Sequence, residues 1–252
     1  MGHIKTETSD GLLIVTMQRG KANALNSAMI DELLSALEGA KSESVRGIVL
    51  ASDRPKFFSG GFDVMEVFAY DRQAMTEFFG RFIDLYEGLM SLPKPVVAAV
   101  SGYAFAGGAV LALASDARVM AEGNFGFALN EVNIGLVVPP GMIRMAVRAV
   151  GPCRAREMVL EGKSFTPVEA LEIGLASELA SPESILERAV GRARNLADKP
   201  PLTFGAVKRS FNEVNGLGRD SSDRQSLDRF IEHWFSPESM QHKQALIESL
   251  SR

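Results

Sequence analysis

Residues 95–116, PVVAAVSGYAFAGGAVLALASD, constrain the fold more tightly than any other segment of the chain. Val96, Val97, Ala98, Ala99 and Val100 form a short, continuously apolar run rich in β-branched residues, the pattern of a strand buried on both faces. Gly102, Gly107 and Gly108 follow, and glycine lets backbone approach other backbone or a ligand with no Cβ between. The small apolar residues 109–114 predict a tightly packed helix beginning near Gly107. A helix start beside glycines leaves N–H groups unpaired, and such groups can hold a phosphate or an oxyanion formed during a reaction. A plain strand–turn–helix, with glycines for close packing, fits the same residues.

A second glycine turn narrows the choice. Residues 46–51 predict another buried strand, followed by the polar break SDRPK and then by FFSGGFDV at 57–64. Two separately placed backbone N–H groups suffice to grip one carbonyl oxygen. Upstream, residues 4–7 and 12–17 predict a β-hairpin across Asp10-Gly11. A helix capped by Ser27 is expected to about residue 41, and another over 71–90 with Met75, Phe78, Phe79, Phe82, Leu85 and Leu89 on one face. Strands separated by helices continue to about Phe127. Everything after Pro139 reads as helical, broken at Gly151-Pro152, Thr166-Pro167, Ser181-Pro182, Pro200-Pro201 and Ser236-Pro237. Strands in the first part and helices in the second predict an α/β core with a helical tail.

Composition excludes several classes. The net charge of −4 over 252 residues, with scattered basic positions, argues against a nucleic-acid surface. No apolar run approaches the roughly 20 residues of a membrane span. The opening MGHIKTETSDG carries neither a secretory h-region nor an Arg-rich transit character, so the cytoplasm is expected. The single cysteine, Cys153, rules out an internal disulfide and fits a reducing compartment. No metal is expected: His3, His233 and His242 lack ligand spacing, and there is no HExxH or CxxC. Gly162-Lys163-Ser164 fails as a P-loop, and FSGGF lacks the first glycine of a nucleophile elbow. What remains is Glu131, an acid in the otherwise apolar run 125–138. Burial would raise its pKa and make it a base near neutral pH, although a capping or ion-paired glutamate fits the pattern too.

Several motifs, in order, resemble the enoyl-CoA hydratase/isomerase (crotonase) superfamily over nearly the whole chain. They are RGKANALN at 19–26, FFSGGFD at 57–63, KPVVAAVSGYAFAGGAVLALASDARV at 94–119, FGFALNEVNIGLVVPPG at 125–141, and the stretch 170–179. The resemblance implies a spiral of ββα units over residues 1–200, carrying an acyl-CoA site, and a C-terminal helical trimerisation region over 201–252. It implies that Glu131 is catalytic, that the N–H groups of Phe62 and Gly107 form an oxyanion hole, and that Lys21, Ala22, Gly60, Gly61 and Asp63 lie along the CoA. Asp63 also reads as a cap or turn acid. The helical stripe over 71–90 becomes core or, in part, the wall of an acyl tunnel. The substrate is expected to be an acyl-CoA thioester, with CoA as part of the substrate and no other cofactor. A homotrimer or dimer of trimers is the expected assembly.

One departure is informative. Family hydratases carry a second glutamate three residues after the oxyanion glycine, where this chain has Val110. The run VVPPGMIRMAV after Glu131 also differs from the hydratase pattern PGAGGTQRL. Both features, with SLDRFIEHWFSPESMQ in the tail, resemble the single-glutamate Δ3,Δ2-enoyl-CoA isomerases. The resemblance therefore implies isomerisation of 3-enoyl-CoA to trans-2-enoyl-CoA in unsaturated fatty-acid oxidation. The alternatives are a hydratase or another acyl-CoA enzyme of the superfamily, and, in a different class, a non-catalytic or RNA-binding relative.

Overall fold

Asp10 and Gly11, both at positive φ, fold β1 (Ile4–Ser9) back antiparallel on β2 (Leu12–Met17), the two-residue hairpin turn that such backbone values produce. The computed structural model describes residues 2–217 and 222–250. After β2 the chain enters α1 (Ser27–Gly39), whose cap is Asn26 rather than the expected Ser27: the Asn26 side chain accepts the Met29 N–H at 3.0 Å. Strands then alternate between two sheets. In the first, β3 (Gly47–Ser52), β5 (Val96–Val100), β7 (Ala117–Ala121) and β9 (Glu178–Ala180) continue from β2 as parallel neighbours. In the second, β4 (Phe57–Ser59), β6 (Tyr103–Phe105) and β8 (Phe127–Ala128) lie parallel to one another.

Each passage through both sheets ends in helix. α2 (Val64–Val67) and α3 (Arg72–Ser91) follow β4, α4 (Gly107–Leu113) follows β6, and a 3₁₀ turn (Glu131–Ile134) with α5 (Pro140–Leu160) follows β8. This is the expected spiral of ββα units. α6 (Pro167–Glu172) and α7 (Ile185–Ala197) bracket β9, and α8 (Pro201–Val214), α9 (Ser222–Trp234) and α10 (Pro237–Leu250) complete the described chain. The expected helical region 201–252 is thus helical within the described residues, and its residues 218–221 and 251–252 lie outside them.

The central strand β5 shows why its sequence is apolar at every position. Val96, Ala98 and Val100 enter the main core, while Val97 and Ala99 face α7, whose Ala189, Ala193 and Ala197 allow close approach. Parallel strands covered on both faces lose the polar half of the alternation. β9 corrects the expectation of an all-helical second part: residues 178–180 pair with the open edge of β7, and that pairing outweighs any local helical preference. The proline breaks behave as read at Pro167, Pro201 and Pro237, each the first residue of a helix. At Gly151 (φ 74°) α5 kinks and resumes at Pro152. Ser181-Pro182 precedes a turn, and α7 begins three residues later, at Ile185.

Candidate active site

The three short parallel strands end at one place. β4 runs into Gly60, Gly61 and Phe62, β6 into Ala106 and Gly107, and β8 through Leu129 and Asn130 into Glu131. Because the strands are parallel, all three connections leave from their carboxyl ends, where open α/β sheets bind ligands.

Segment 19–26 shapes the first connection. Asn23, wholly buried at φ 47°, accepts the Arg19 N–H (2.7 Å) and donates to Ser52 Oγ (2.7 Å) and to the carbonyls of Phe58 (3.2 Å) and Met17 (3.3 Å). The loop so fastened takes the Gly60 N–H on Ala22 O at 2.8 Å. Leu25 then bridges to the turn: its N–H donates to Gly61 O (2.7 Å), and its carbonyl accepts the Asp63 N–H (2.8 Å). In such a parallel bridge Leu25 engages the residues flanking Phe62, so the Phe62 N–H is left over. Among the described residues it donates to no group. The Phe62 ring is gripped edge-on by Phe78 and Phe82, at centroid distances of 4.9 and 4.8 Å.

The second connection presses against the first. A Cβ on Gly61 (φ 92°) would lie 3.0 Å from Phe105 O and 3.4 Å from Gly107 N, and one on Gly108 would lie 2.3 Å from Ser59 O. Only glycine permits this contact. Ala106, at φ 47° and ψ −120°, holds a conformation that costs a residue with a side chain about 1–3 kcal/mol. It turns the chain so that α4 starts at Gly107, whose N–H also has no partner among the described residues. The far end of α4 is tied down by two guanidinium groups: Arg118 donates to Ala112 O and Ser115 O, and Arg148 to Leu113 O at 2.7 Å.

Glu131 opens the 3₁₀ turn of the third connection. Its Oε2 is sealed from solvent with no hydrogen-bond partner among the described residues. Burial pushes its carboxyl from the usual range near 4.5 up to about 7, only partly offset by a hydrogen bond to its own backbone.

These pieces surround one cavity of about 440 Å³. Ala22, Gly60, Phe62, Gly107 and Glu131 all line it, and so does Val110 on α4. Phe79 and Phe82 on the α3 stripe face it as well, so part of that stripe is cavity wall. Phe230, Trp234 and Leu246 close it from α9 and α10. Among the described residues that line it, Glu131 alone is ionisable. Lys21 is exposed, Gly61 packs on Phe105 and Ala106, and Asp63 caps α2 while pairing with Arg19 at 2.5 Å; none of the three is in the lining. No group of three or more His, Cys, Asp or Glu side chains is gathered as for a metal among the described residues.

The family model described as enoyl-CoA hydratase/isomerase matches residues 7–248. The chain belongs to the enoyl-CoA hydratase/isomerase family. Within that family it is 31% identical over 224 residues to a probable enoyl-CoA hydratase, EchA17, of Mycobacterium tuberculosis, covering 88% of this chain and 85% of the relative. It is also 31% identical over 214 residues to the 2,3-dehydroadipyl-CoA hydratase of Escherichia coli, covering 84% and 83%. In fold it superposes on human mitochondrial Δ3,Δ2-enoyl-CoA isomerase with a TM-score of 0.92 at 22% identity, covering 99% and 98% of the two chains.

Sequence reasoning missed two parts of this hydratase/isomerase-family site. Asn23 carries no signal beyond its place in RGKANALN, because its partners come from three separate strands. Phe230 and Trp234, four residues apart in the tail, were legible as an apolar helix face but not as cavity roof. α9 is brought there by Asp223, which accepts the Tyr86 hydroxyl and the Gly141 N–H, both at 2.5 Å, and by Phe230 stacking on Phe79 at 3.8 Å.

Proposed function

We propose that this protein isomerises 3-enoyl-CoA thioesters to trans-2-enoyl-CoA. The carrying observation is an apolar cavity with one carboxylate, Glu131, and with Val110 where a second acid would stand. The thioester oxygen accepts the N–H groups of Phe62 and Gly107, which lowers the energy of the dienolate formed when Glu131 removes a proton from C2. The same carboxyl returns that proton at C4, moving along one face of the acyl chain. A base with its pKa near 7 suits both transfers. The chemistry needs no metal or redox group, and CoA enters with the substrate.

Hydration is the second reading, favoured by the names of the relatives. It requires water held and activated, for which family hydratases use a second glutamate; an apolar Val110 removes that group. The lining also bears on the acyl chain. The dehydroadipyl-CoA of the E. coli relative ends in a carboxylate, and among the described residues none that lines the cavity is cationic, Lys243 lying behind the Trp234 and Phe68 rings. A plain hydrocarbon chain, of the kind met in the oxidation of unsaturated fatty acids, fits it better.

The deciding experiment offers 3-hexenoyl-CoA and crotonyl-CoA to the same preparation. We expect isomerisation well above hydration at matched substrate; equal or faster hydration would overturn the assignment. No described helix is long and apolar enough to cross a membrane. The exposed free Cys153 supports a reducing, cytoplasmic location, and the family resemblance supports a homotrimer or dimer of trimers.

A further inference from the structure

Glu131 stands on a weak support. The turn Glu131–Ile134 is a single 3₁₀ turn, ending at Gly135 with φ 66°, in which only the tip of the Glu131 side chain is sealed from solvent and Val132 and Asn133 are exposed. The turn is closed by Asn133 N–H to Asn130 O at 3.1 Å, by Gly135 N–H to Glu131 O and Val132 O, and by Leu136 N–H to Glu131 O at 3.0 Å, and isolated 3₁₀ turns have poor hydrogen-bond geometry. A carboxyl that must serve both C2 and C4 needs a defined position, so something outside the turn has to supply it.

Asn133 Nδ2 reaches Gly162 O only at 3.4 Å, and the closer support comes from α10. Ser236 caps the helix by accepting the Ser239 N–H at 3.2 Å, and Pro237 occupies the first helical position. The cap places Ser239, which is wholly buried, so that its hydroxyl donates to Gly135 O at 2.5 Å. His242 packs its ring against Gly135 from the same helix. A serine hydroxyl has one proton, and here it goes to the carbonyl. His233 Nδ1, 3.1 Å from Ser239 Oγ, must therefore be the donor to that oxygen. The Nδ1-protonated ring thus orients the hydroxyl, and the hydroxyl holds the turn.

We propose that Ser239, oriented by His233, is a positioning residue that fixes the Glu131 turn for proton transfer. The proposal rests on the isomerase reading for its consequence in rate, but the position of the carboxyl can be read without turnover. It also gives the C-terminal helices a role in the chemistry besides closing the cavity.

The test compares Ser239→Ala, Glu131→Gln and the double variant on 3-hexenoyl-CoA. It also follows the Glu131 carboxyl by infrared titration, using Glu131→Gln as the difference reference. Ser239→Ala should lower kcat about tenfold, less than the ~10²-fold cost of a 1 Å misplacement, with KM changed less than about twofold. The carboxyl should titrate lower than in the wild type, as a loosened turn admits water. The double variant should match Glu131→Gln, because a residue acting through Glu131 has no effect once Glu131 is gone. Should Ser239→Ala fold poorly, Ser239→Cys keeps the shape with a weaker donor and should show a smaller change of the same kind. Wild-type kcat and titration in a folded variant, or an equal further loss in the Gln background, would overturn the proposal. If the wild type does not isomerise 3-hexenoyl-CoA, the isomerase reading falls, and an unshifted Glu131 titration in the Ser239 variants would then overturn the positioning role separately.

Discussion

At the scale of single residues, Glu131 is the proposed acid–base group, and its environment makes two linked predictions. Glu131→Gln keeps size and hydrogen bonding but accepts no proton. General acid–base groups contribute about 10²- to 10⁴-fold, and a residue performing both transfers should lie at the upper end. Acyl-CoA affinity should change little, since the two backbone donors and the cavity wall remain. A fall in kcat of less than about tenfold would place the base elsewhere. Wild-type turnover should rise with pH through about 7, as the carboxyl ionises. Stability should move the other way. Between about 4.5 and about 7 the unfolded chain has released the Glu131 proton while the folded chain retains it, so folding stability falls as pH rises through this window. The loss amounts to about 3 kcal/mol at 1.36 kcal/mol per unit, and the Gln variant escapes it. Denaturant melts at pH 5 and pH 8 check this: the variant should gain on the wild type at the higher pH, and an equal difference at both would contradict it. Glu131 was legible because an acid is rare in an apolar run. Ser239 and Asn23 were not, because their significance lies in partners far away in sequence.

At the scale of elements, the site is a junction of two glycine turns, and its tolerance is set by contacts between backbones. Gly108→Ala would place a methyl 2.3 Å from Ser59 O, a backbone atom that cannot swing aside. Either β4 or α4 must shift, which separates the Phe62 and Gly107 N–H groups. Loss of one oxyanion donor costs roughly 10²–10³ in kcat, so a fall on the order of 10² is expected in the folded variant. Gly191→Ala on α7 is the control: a Cβ there meets nothing within 4 Å, and alanine in a helix interior should add roughly 0.5–1 kcal/mol. Activity of Gly108→Ala near the wild type would mean that the two turns need not touch. The glycine turns could be read from sequence because glycine is conspicuous. The second sheet could not, since β4 and β6 have three residues each and β8 two, too short for any periodicity. The ββα repeat was hidden for a related reason: its main helices run to 20, 7 and 21 residues, so no fixed period survives.

At the scale of the whole molecule, the C-terminal helices divide between two tasks. α9 and α10 turn inward, roofing the cavity and holding the Glu131 turn. α8 turns one face inward and one outward. Its inner face is polar but fully engaged: Lys208 donates to Asp116 at 2.7 Å, and Asn212 to Met90 O at 2.9 Å. Its outer face presents Val207, Phe211 and Val214 at helical spacing, with Leu202 at the start; Leu202 and Val214 are 91% and 87% exposed. A stripe of that length is more apolar than a solvated helix needs to be, and a second copy of the chain is the partner that the family resemblance supplies. Light scattering should therefore give three or six times the 27.2 kDa chain mass. The variant carrying Phe211→Asp and Val214→Asp should shift toward the monomer, since charges at the centre of an apolar contact are desolvated without a partner. The inner face of α8 is untouched by these changes, so the monomer should stay folded by circular dichroism. A wild type that stays monomeric at micromolar concentration would remove the expected trimer. A variant that keeps the full mass would show that the copies meet through another surface, leaving the outer face of α8 without an explanation.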